Sequence, residues 1–97
     1  MNLLDFPKVN ILIVDDRPEN VLALQASFKE SGYDLYTAFS GKEALEHARH
    51  REFACVLLDV QMPILDGFET AKALRQIPKT EITPIIFVTA IHRSDEH

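Results

Sequence analysis

Short apolar runs alternate with helix-like segments along the sequence, and this alternation constrains the fold more than any other feature. Four runs suit strands because they are short and mostly apolar or aromatic: Val9 to Val14, Tyr33 to Phe39, Ala54 to Leu58 and Ile85 to Val88. Between these runs, apolar residues recur at helical spacing. Strands that alternate with helices predict an α/β fold, in which a parallel sheet carries helices on both faces.

Start and stop signals predict a helix in each of the three gaps. The predicted helices run from Pro18 to the Ser31-Gly32 stop, from about Gly41 to Arg51, and from Asp66 to Pro78. Ser40 and Glu43 match a capping box for the second helix, and Asp66 can cap the third. One side of the third helix is predicted to be apolar, through Phe68, Ala71, Leu74 and Ile77.

Composition and charge argue against several classes of protein. The 97 residues are 46% hydrophobic and 26% charged, which predicts one domain around one core. A formal net charge of −5 argues against direct binding to nucleic acid through broad electrostatics. No apolar run approaches the roughly 18 residues of a membrane span. The single cysteine, Cys55, lies in an apolar run, so we expect a buried, reduced thiol in a cytoplasmic protein.

Acids and a hydroxyl stand at the ends of three predicted strands. Asp15 and Asp16 follow the first strand, Asp59 follows the third, and Thr89 follows the fourth. In open α/β sheets, ligands bind beyond the carboxyl ends of the strands, where the strand order reverses. If the first and third strands are neighbours, three carboxylates converge on one crevice, and their mutual repulsion calls for a cation.

Such a cluster fits Mg²⁺ and phosphoryl chemistry. Mg²⁺ typically takes one or two carboxylates and leaves positions for phosphate oxygens, and a carboxylate can itself become an aspartyl-phosphate. Asp59 is therefore a candidate acceptor, and Asp15 with Asp16 a candidate metal clamp. Taken singly, each residue has a structural interpretation: the Asp pair and Asp66 could cap helices, and Thr89 could be an ordinary strand residue.

The segments around these acids resemble the receiver domain of two-component response regulators. ILIVDDRPEN resembles the first strand with its acidic pair, VLLDVQMPILDG the phosphoacceptor segment, and PIIFVTA the fourth strand with its switch hydroxyl. The resemblance spans about Val9 to Ala90 and implies a flavodoxin-like, doubly wound parallel sheet. It also implies that a histidine kinase or a histidine phosphotransfer protein supplies the phosphoryl group.

The resemblance implies a role for each matching residue. Asp59 would be the phosphoacceptor, and the hydroxyl of Thr89 would donate a hydrogen bond to the phosphoryl group. Asp16 would bind Mg²⁺ directly, whereas Asp15 would act directly or through water. The implied metal ligands are Asp15, Asp16, Asp59 and the backbone carbonyl of Gln61. Pro63 and Gly67 would shape the loop and the start of the third helix.

The sequence ends at SDEH, before the fifth strand and fifth helix that the resemblance implies. In the family the fifth strand carries a lysine that pairs with the phosphoryl group, and we assign this role to no residue of the sequence. We therefore predict a fragment of a receiver with four strands and about three helices, in which Ile91 to His97 could enter another helix. Without a fifth strand, the fourth would present an apolar edge, and the first helix would lose part of its cover. We expect a second copy to cover these surfaces, as a homodimer or through exchanged elements.

Three other functions remain open on the residues alone. A degenerate receiver could serve as a protein-interaction scaffold. A Mg²⁺-dependent phosphatase could use an aspartyl nucleophile. That chemistry commonly places two acids two positions apart in the sequence at the end of one strand, whereas Asp15 and Asp16 are adjacent. A flavodoxin-like cofactor domain is disfavoured because no glycine-rich loop follows the first strand.

Overall fold

The computed structural model describes residues 9–62 and 65–88 of the 97-residue chain. Four strands and three helices alternate there: β1 (Asn10–Val14), α1 (Pro18–Ser27), β2 (Asp34–Ala38), α2 (Gly41–His50), β3 (Cys55–Asp59), α3 (Gly67–Leu74) and β4 (Ile85–Val88). A 3₁₀ turn, Pro78–Thr80, precedes β4. Pro63, Thr89 and the predicted helix entry from Ile91 to His97 lie outside the described residues. Among the described helices, none has the length and apolar character that crossing a membrane requires.

The four strands form one parallel sheet in the order β2-β1-β3-β4. After β1, the chain adds β2 on one side of that strand and β3 on the other, so the strand order reverses between β1 and β3. This order and the helices on both faces confirm the predicted flavodoxin-like, doubly wound fold. The reversal places a crevice at the carboxyl ends of β1 and β3, where ligands bind in folds of this kind.

Each face of the sheet carries its own apolar cluster, because alternate residues of a strand point to opposite faces. Leu12 and Val14 of β1 pack on the face covered by α2 and α3, whereas Ile11 and Ile13 pack against Val21 of α1. Leu12 and Ile13 have no exposed surface. Burying a side chain of this size stabilises the fold by about 2 kcal/mol, so β1 anchors both layers.

Two helices end earlier than the sequence predicts. α1 stops at Ser27, and the amide of Phe28 bonds to the carbonyl of Gln25 in a tighter turn. α3 stops at Leu74, whose carbonyl accepts a 2.7 Å hydrogen bond from the Thr80 hydroxyl. In both helices, local hydrogen bonds to carbonyls of the last turn therefore end the helix, although apolar residues continue at helical spacing beyond it.

The prediction that Phe68 lies on the apolar side of α3 is wrong. Leu74 is fully buried, but the Phe68 side chain is 59% exposed, and its ring centroid lies 5.0 Å from that of Phe87. A row of residues spaced by three drifts around a helix, because one turn takes about 3.6 residues. Over the two steps from Phe68 to Leu74 this drift carries Phe68 away from the core.

The two predicted helix caps differ in their detail. Asp66 caps α3 as predicted, and with Glu69 it forms a complete capping box, with bonds of 2.8 and 3.3 Å. At α2, the Ser40 hydroxyl accepts the Glu43 amide at 3.1 Å, as predicted. The Glu43 carboxylate, however, accepts the amide of Phe39 at 2.8 Å. The box predicted for α2 is therefore shifted by one residue on its carboxylate side.

Within the described residues, β4 pairs with β3 alone and carries exposed apolar side chains. Ile86 is 53% exposed and Phe87 is 40% exposed. On α1, Val21 is buried, whereas Leu24 and Phe28 are half-buried. These surfaces match the apolar edge that the sequence predicts, and their cover by a second copy stays a prediction.

The thiol of Cys55, at the start of β3, is half-buried. Burial disfavours the charged thiolate and raises the pKa of Cys55. A thiol with a raised pKa is a weak nucleophile near neutral pH. The structure corrects the prediction of a buried thiol, because Cys55 is the first residue of β3 and is only half-buried.

Candidate metal site

The carboxyl ends of β1 and β3 bring Asp15, Asp16 and Asp59 together. One carboxylate oxygen of each residue lies within 4.8 Å of those of the other two. In the register of the sheet Val14 pairs with Leu58, so Asp15 and Asp59, which follow them, lie side by side at the carboxyl ends of the strands. The sequence predicted this convergence on the condition that β1 and β3 are neighbours, and the strand order meets that condition.

The cluster is mostly shielded from water. Asp15 is 3% exposed, Asp59 is 6% exposed, and Asp16 is half-buried. Two unit charges 4.8 Å apart repel by about 3 kcal/mol at an effective dielectric constant near 20. The arrangement therefore concentrates negative charge where a divalent cation would relieve a large repulsion.

Two neutral donors hold the carboxylate of Asp15. The backbone N–H of Arg17 donates to Oδ1 at 2.9 Å, and the side-chain amide of Asn20 donates to Oδ2 at 3.1 Å. The N-cap of α1 is Arg17, which makes no side-chain cap, so neither Asp15 nor Asp16 is the capping residue that one interpretation of the sequence allowed. Sequence reasoning missed Asn20, whose signal was its place in the first turn after the acidic pair.

Asp59 is the last residue of β3, and the loop that follows folds back on its side chain. The backbone N–H of Gln61 donates to Asp59 Oδ1 at 3.3 Å. Met62, next in the chain, is buried in the cluster under α2 and α3, which anchors the loop. Gln61 thus lies beside the Asp59 carboxylate, and the role of its carbonyl as a metal ligand stays a prediction.

The start of α3 packs directly against the backbone of the same loop. The amide of Gly67 donates to the carbonyl of Val60 at 3.2 Å. A Cβ at position 67 would lie 2.6 Å from Val60 Cα and would overlap the carbonyl oxygen of Asp59. Glycine is required for this close approach, which fits the loop-shaping role predicted for Gly67.

The donor set fits Mg²⁺. The cluster offers three carboxylates, and Mg²⁺ prefers oxygen ligands, of which one or two are usually carboxylates. A carboxylate has about four lone-pair sites. The two donors on Asp15 leave room on that carboxylate for the metal or for one of its waters.

We expect Asp16→Asn to stabilise the Mg²⁺-free protein by about 1 kcal/mol, because it removes one charge from a repelling cluster. We expect the same change to weaken stabilisation by Mg²⁺, since it removes a predicted ligand. Thermal unfolding with and without Mg²⁺ measures both effects. Glu19→Gln is the matched control, because it removes an exposed acid in the first turn of α1. A destabilised Mg²⁺-free Asp16→Asn protein, or an undiminished response to Mg²⁺, would contradict this expectation.

Comparison of this chain with known protein families shows which family it belongs to. The family model of the response regulator receiver domain matches residues 11–97. The chain therefore belongs to the response regulator receiver domain family of two-component signalling. Domains of this family bind Mg²⁺ at an acidic site and interact with histidine kinases, and a receiver is not a dedicated enzyme domain.

One curated relative and two solved structures illustrate the similarity. The alkaline phosphatase synthesis transcriptional regulatory protein PhoP of Bacillus subtilis is 44% identical over 80 residues, covering 82% of this chain and 32% of PhoP. The chemotaxis protein CheY4 of Vibrio cholerae matches with a TM-score of 0.80 and 31% identity, covering 93% of this chain and 78% of CheY4.

The second structure is the receiver domain of the sensor histidine kinase PA1611 from Pseudomonas aeruginosa. It has a TM-score of 0.80 and 28% identity, and the match covers 89% of this chain and 70% of that one. That receiver holds a magnesium ion in its active-site cleft. The chain spans between 9% and 32% of the length of the first curated relatives that it matches.

Proposed function

We propose that this receiver domain takes a phosphoryl group from a phosphohistidine onto Asp59. The observation that carries the proposal is the convergence of three carboxylates at the reversal of strand order, with Asp59 at the end of β3. The donor would be a histidine kinase or a histidine phosphotransfer protein, in keeping with the family to which the chain belongs.

In the proposed reaction, a carboxylate oxygen of Asp59 attacks the phosphorus atom of the donor. A P–O bond forms, the P–N bond to the imidazole breaks, and the bonding electron pair leaves with the nitrogen. The product is an acyl phosphate on Asp59. The hydrogen bond from the Gln61 amide to Oδ1 restrains the carboxylate, which favours a productive orientation for attack.

Mg²⁺ would be held by Asp15, Asp16, Asp59 and the backbone carbonyl of Gln61. In this proposal Asp16 binds the metal directly, and Asp15 binds directly or through a water. When bound, Mg²⁺ supplies positive charge that offsets the charge of the phosphoryl oxygens. The receiver of PA1611, which holds magnesium in its cleft, supports this assignment by similarity. Thr89 would donate a hydrogen bond to the phosphoryl group.

Phosphorylation would be relayed through the loop that follows β3. An added phosphoryl group brings roughly two negative charges and strong acceptor oxygens to one end of the sheet. The contact of Gly67 with the backbone at Asp59 and Val60 gives α3 a direct connection to that point. A change in the loop therefore reaches a helix on the surface, where partner binding would respond.

The test is Mg²⁺-dependent uptake of phosphate from a small donor. We expect the protein, incubated with acetyl phosphate and Mg²⁺, to gain the mass of one phosphoryl group at early times. A chelator should prevent the gain, because Mg²⁺ then no longer offsets the negative charge of the three carboxylates and of the donor. Intact-mass spectrometry reads both reactions. No gain with Mg²⁺, or an equal gain with the chelator, would overturn the proposal.

A further inference from the structure

Two protein donors give the carboxylate of Asp15 a defined orientation. Its two oxygens are held separately: Oδ1 accepts the backbone amide of Arg17 at 2.9 Å, and Oδ2 accepts the side-chain amide of Asn20 at 3.1 Å. The residue is 3% exposed, so protein donors take the place of most of the water that would otherwise solvate the carboxylate.

We propose that Asn20 is a positioning residue for the metal site: its amide fixes the rotation of the Asp15 carboxylate so that the remaining lone pairs face the cluster. This inference rests on the proposed function, because it assumes that Mg²⁺ binds at the three carboxylates. The backbone amide of Arg17 holds one oxygen of the Asp15 carboxylate through a hydrogen bond. The side-chain amide of Asn20 holds the other oxygen. Together the two hydrogen bonds prevent the carboxylate from rotating about the Cβ–Cγ bond of Asp15.

The chemistry of the donor suits this task. A lysine or arginine at position 20 would pair its charge with Asp15 and compete with a cation for the carboxylate. A neutral amide donates a hydrogen bond and leaves the full negative charge for Mg²⁺. Partners that orient metal ligands in this way commonly change metal affinity by about tenfold or more when they are removed.

A role in helix capping does not account for the Asn20 contact. Its side chain donates to a carboxylate, whereas a capping side chain accepts a backbone amide. Asn20 also lies inside α1, one residue before the buried Val21. Alanine has a higher helix propensity than asparagine, so Asn20→Ala does not weaken α1 through propensity. A loss of Mg²⁺ affinity in that variant would come from the lost donor.

The experiment is a calorimetric titration of Mg²⁺ into the wild type, Asn20→Ala, Asn20→Leu and Gln25→Ala. Asn20→Leu keeps a side chain of similar size without a donor, and it provides a second test if the alanine variant folds poorly. Gln25→Ala is the matched control, because it removes a half-buried amide of the same helix away from the cluster. We expect Kd to rise about tenfold in both Asn20 variants and to stay at the wild-type value in Gln25→Ala.

A second measurement separates positioning from general structural damage. The Mg²⁺ concentration that gives half of the maximal phosphorylation rate should rise in Asn20→Ala, whereas the rate at saturating Mg²⁺ should return to the wild-type value. Wild-type Mg²⁺ affinity in the Asn20 variants would overturn the role of Asn20 and leave the proposed function intact. A wild-type protein that binds no Mg²⁺ would overturn both.

Discussion

Asp59→Asn should abolish phosphoryl uptake from acetyl phosphate and from a phosphohistidine donor alike. The amide of Asn is too poor a nucleophile to form the acyl phosphate, and no other carboxylate of the cluster ends β3. The variant should still fold, because Asn has nearly the same shape and the change removes one charge from a repelling group. Intact mass after donor treatment in Mg²⁺ gives the extent of modification.

Asp66→Asn is the control for this variant. It makes the same chemical change at another Asp near the same loop, and asparagine caps helices about as well as aspartate, so α3 should keep its start. Uptake in Asp66→Asn should match that of the wild type. Modification that survives in Asp59→Asn, at a level near that of Asp66→Asn, would contradict the assignment of the acceptor.

Gly67→Ala should cost about 3 kcal/mol of unfolding free energy. The added methyl group would lie 2.6 Å from Val60 Cα and would overlap the Asp59 carbonyl oxygen, so α3 or the loop must move. Backbone atoms cannot yield as the end of a flexible side chain can. Because the displaced loop carries Gln61 and adjoins Asp59, phosphoryl uptake should also slow. Urea unfolding monitored by circular dichroism measures the loss of stability.

Gly32→Ala separates steric overlap from backbone preference. Gly32 has a φ of 82°, but a Cβ there would meet no atom within 4 Å. We expect it to cost about 1 kcal/mol through the left-handed conformation, without any effect on phosphoryl uptake. If Gly67→Ala were as stable as the wild type, or less damaging than Gly32→Ala, α3 would not be docked on the Asp59 loop as described.

The parts of the fold that depend on apolar periodicity could be predicted from the sequence. The predicted runs Val9 to Val14 and Ala54 to Leu58 became β1 and β3 with nearly the expected bounds, because short, nearly all-apolar runs fit a sheet covered on both faces. Phe68 could not be placed in this way. Its exposure depends on the rotation of α3 against β3, and its contact with Phe87 arises only when α3 and β4 have packed.

The same limit applies to the candidate site. Asp15, Asp16 and Asp59 stand out in the sequence because acids end apolar runs, and the strand order then brings them together. Asn20 can donate to Asp15 only because α1 begins shortly after β1, with Arg17 as its N-cap. A side-chain contact of this kind has no signature in spacing alone, so the place of Asn20 in the first turn of α1 was not enough to select it.

The acceptor is identified most directly by locating the phosphoryl group on the chain. Borohydride reduces an acyl phosphate on aspartate to homoserine, which peptide mass spectrometry can assign to a position. After treatment with a phosphodonor and Mg²⁺, we predict homoserine at position 59 and unmodified Asp15 and Asp16. Homoserine at position 15 or 16, or a phosphoryl group carried by a histidine such as His47, would show that Asp59 is not the acceptor.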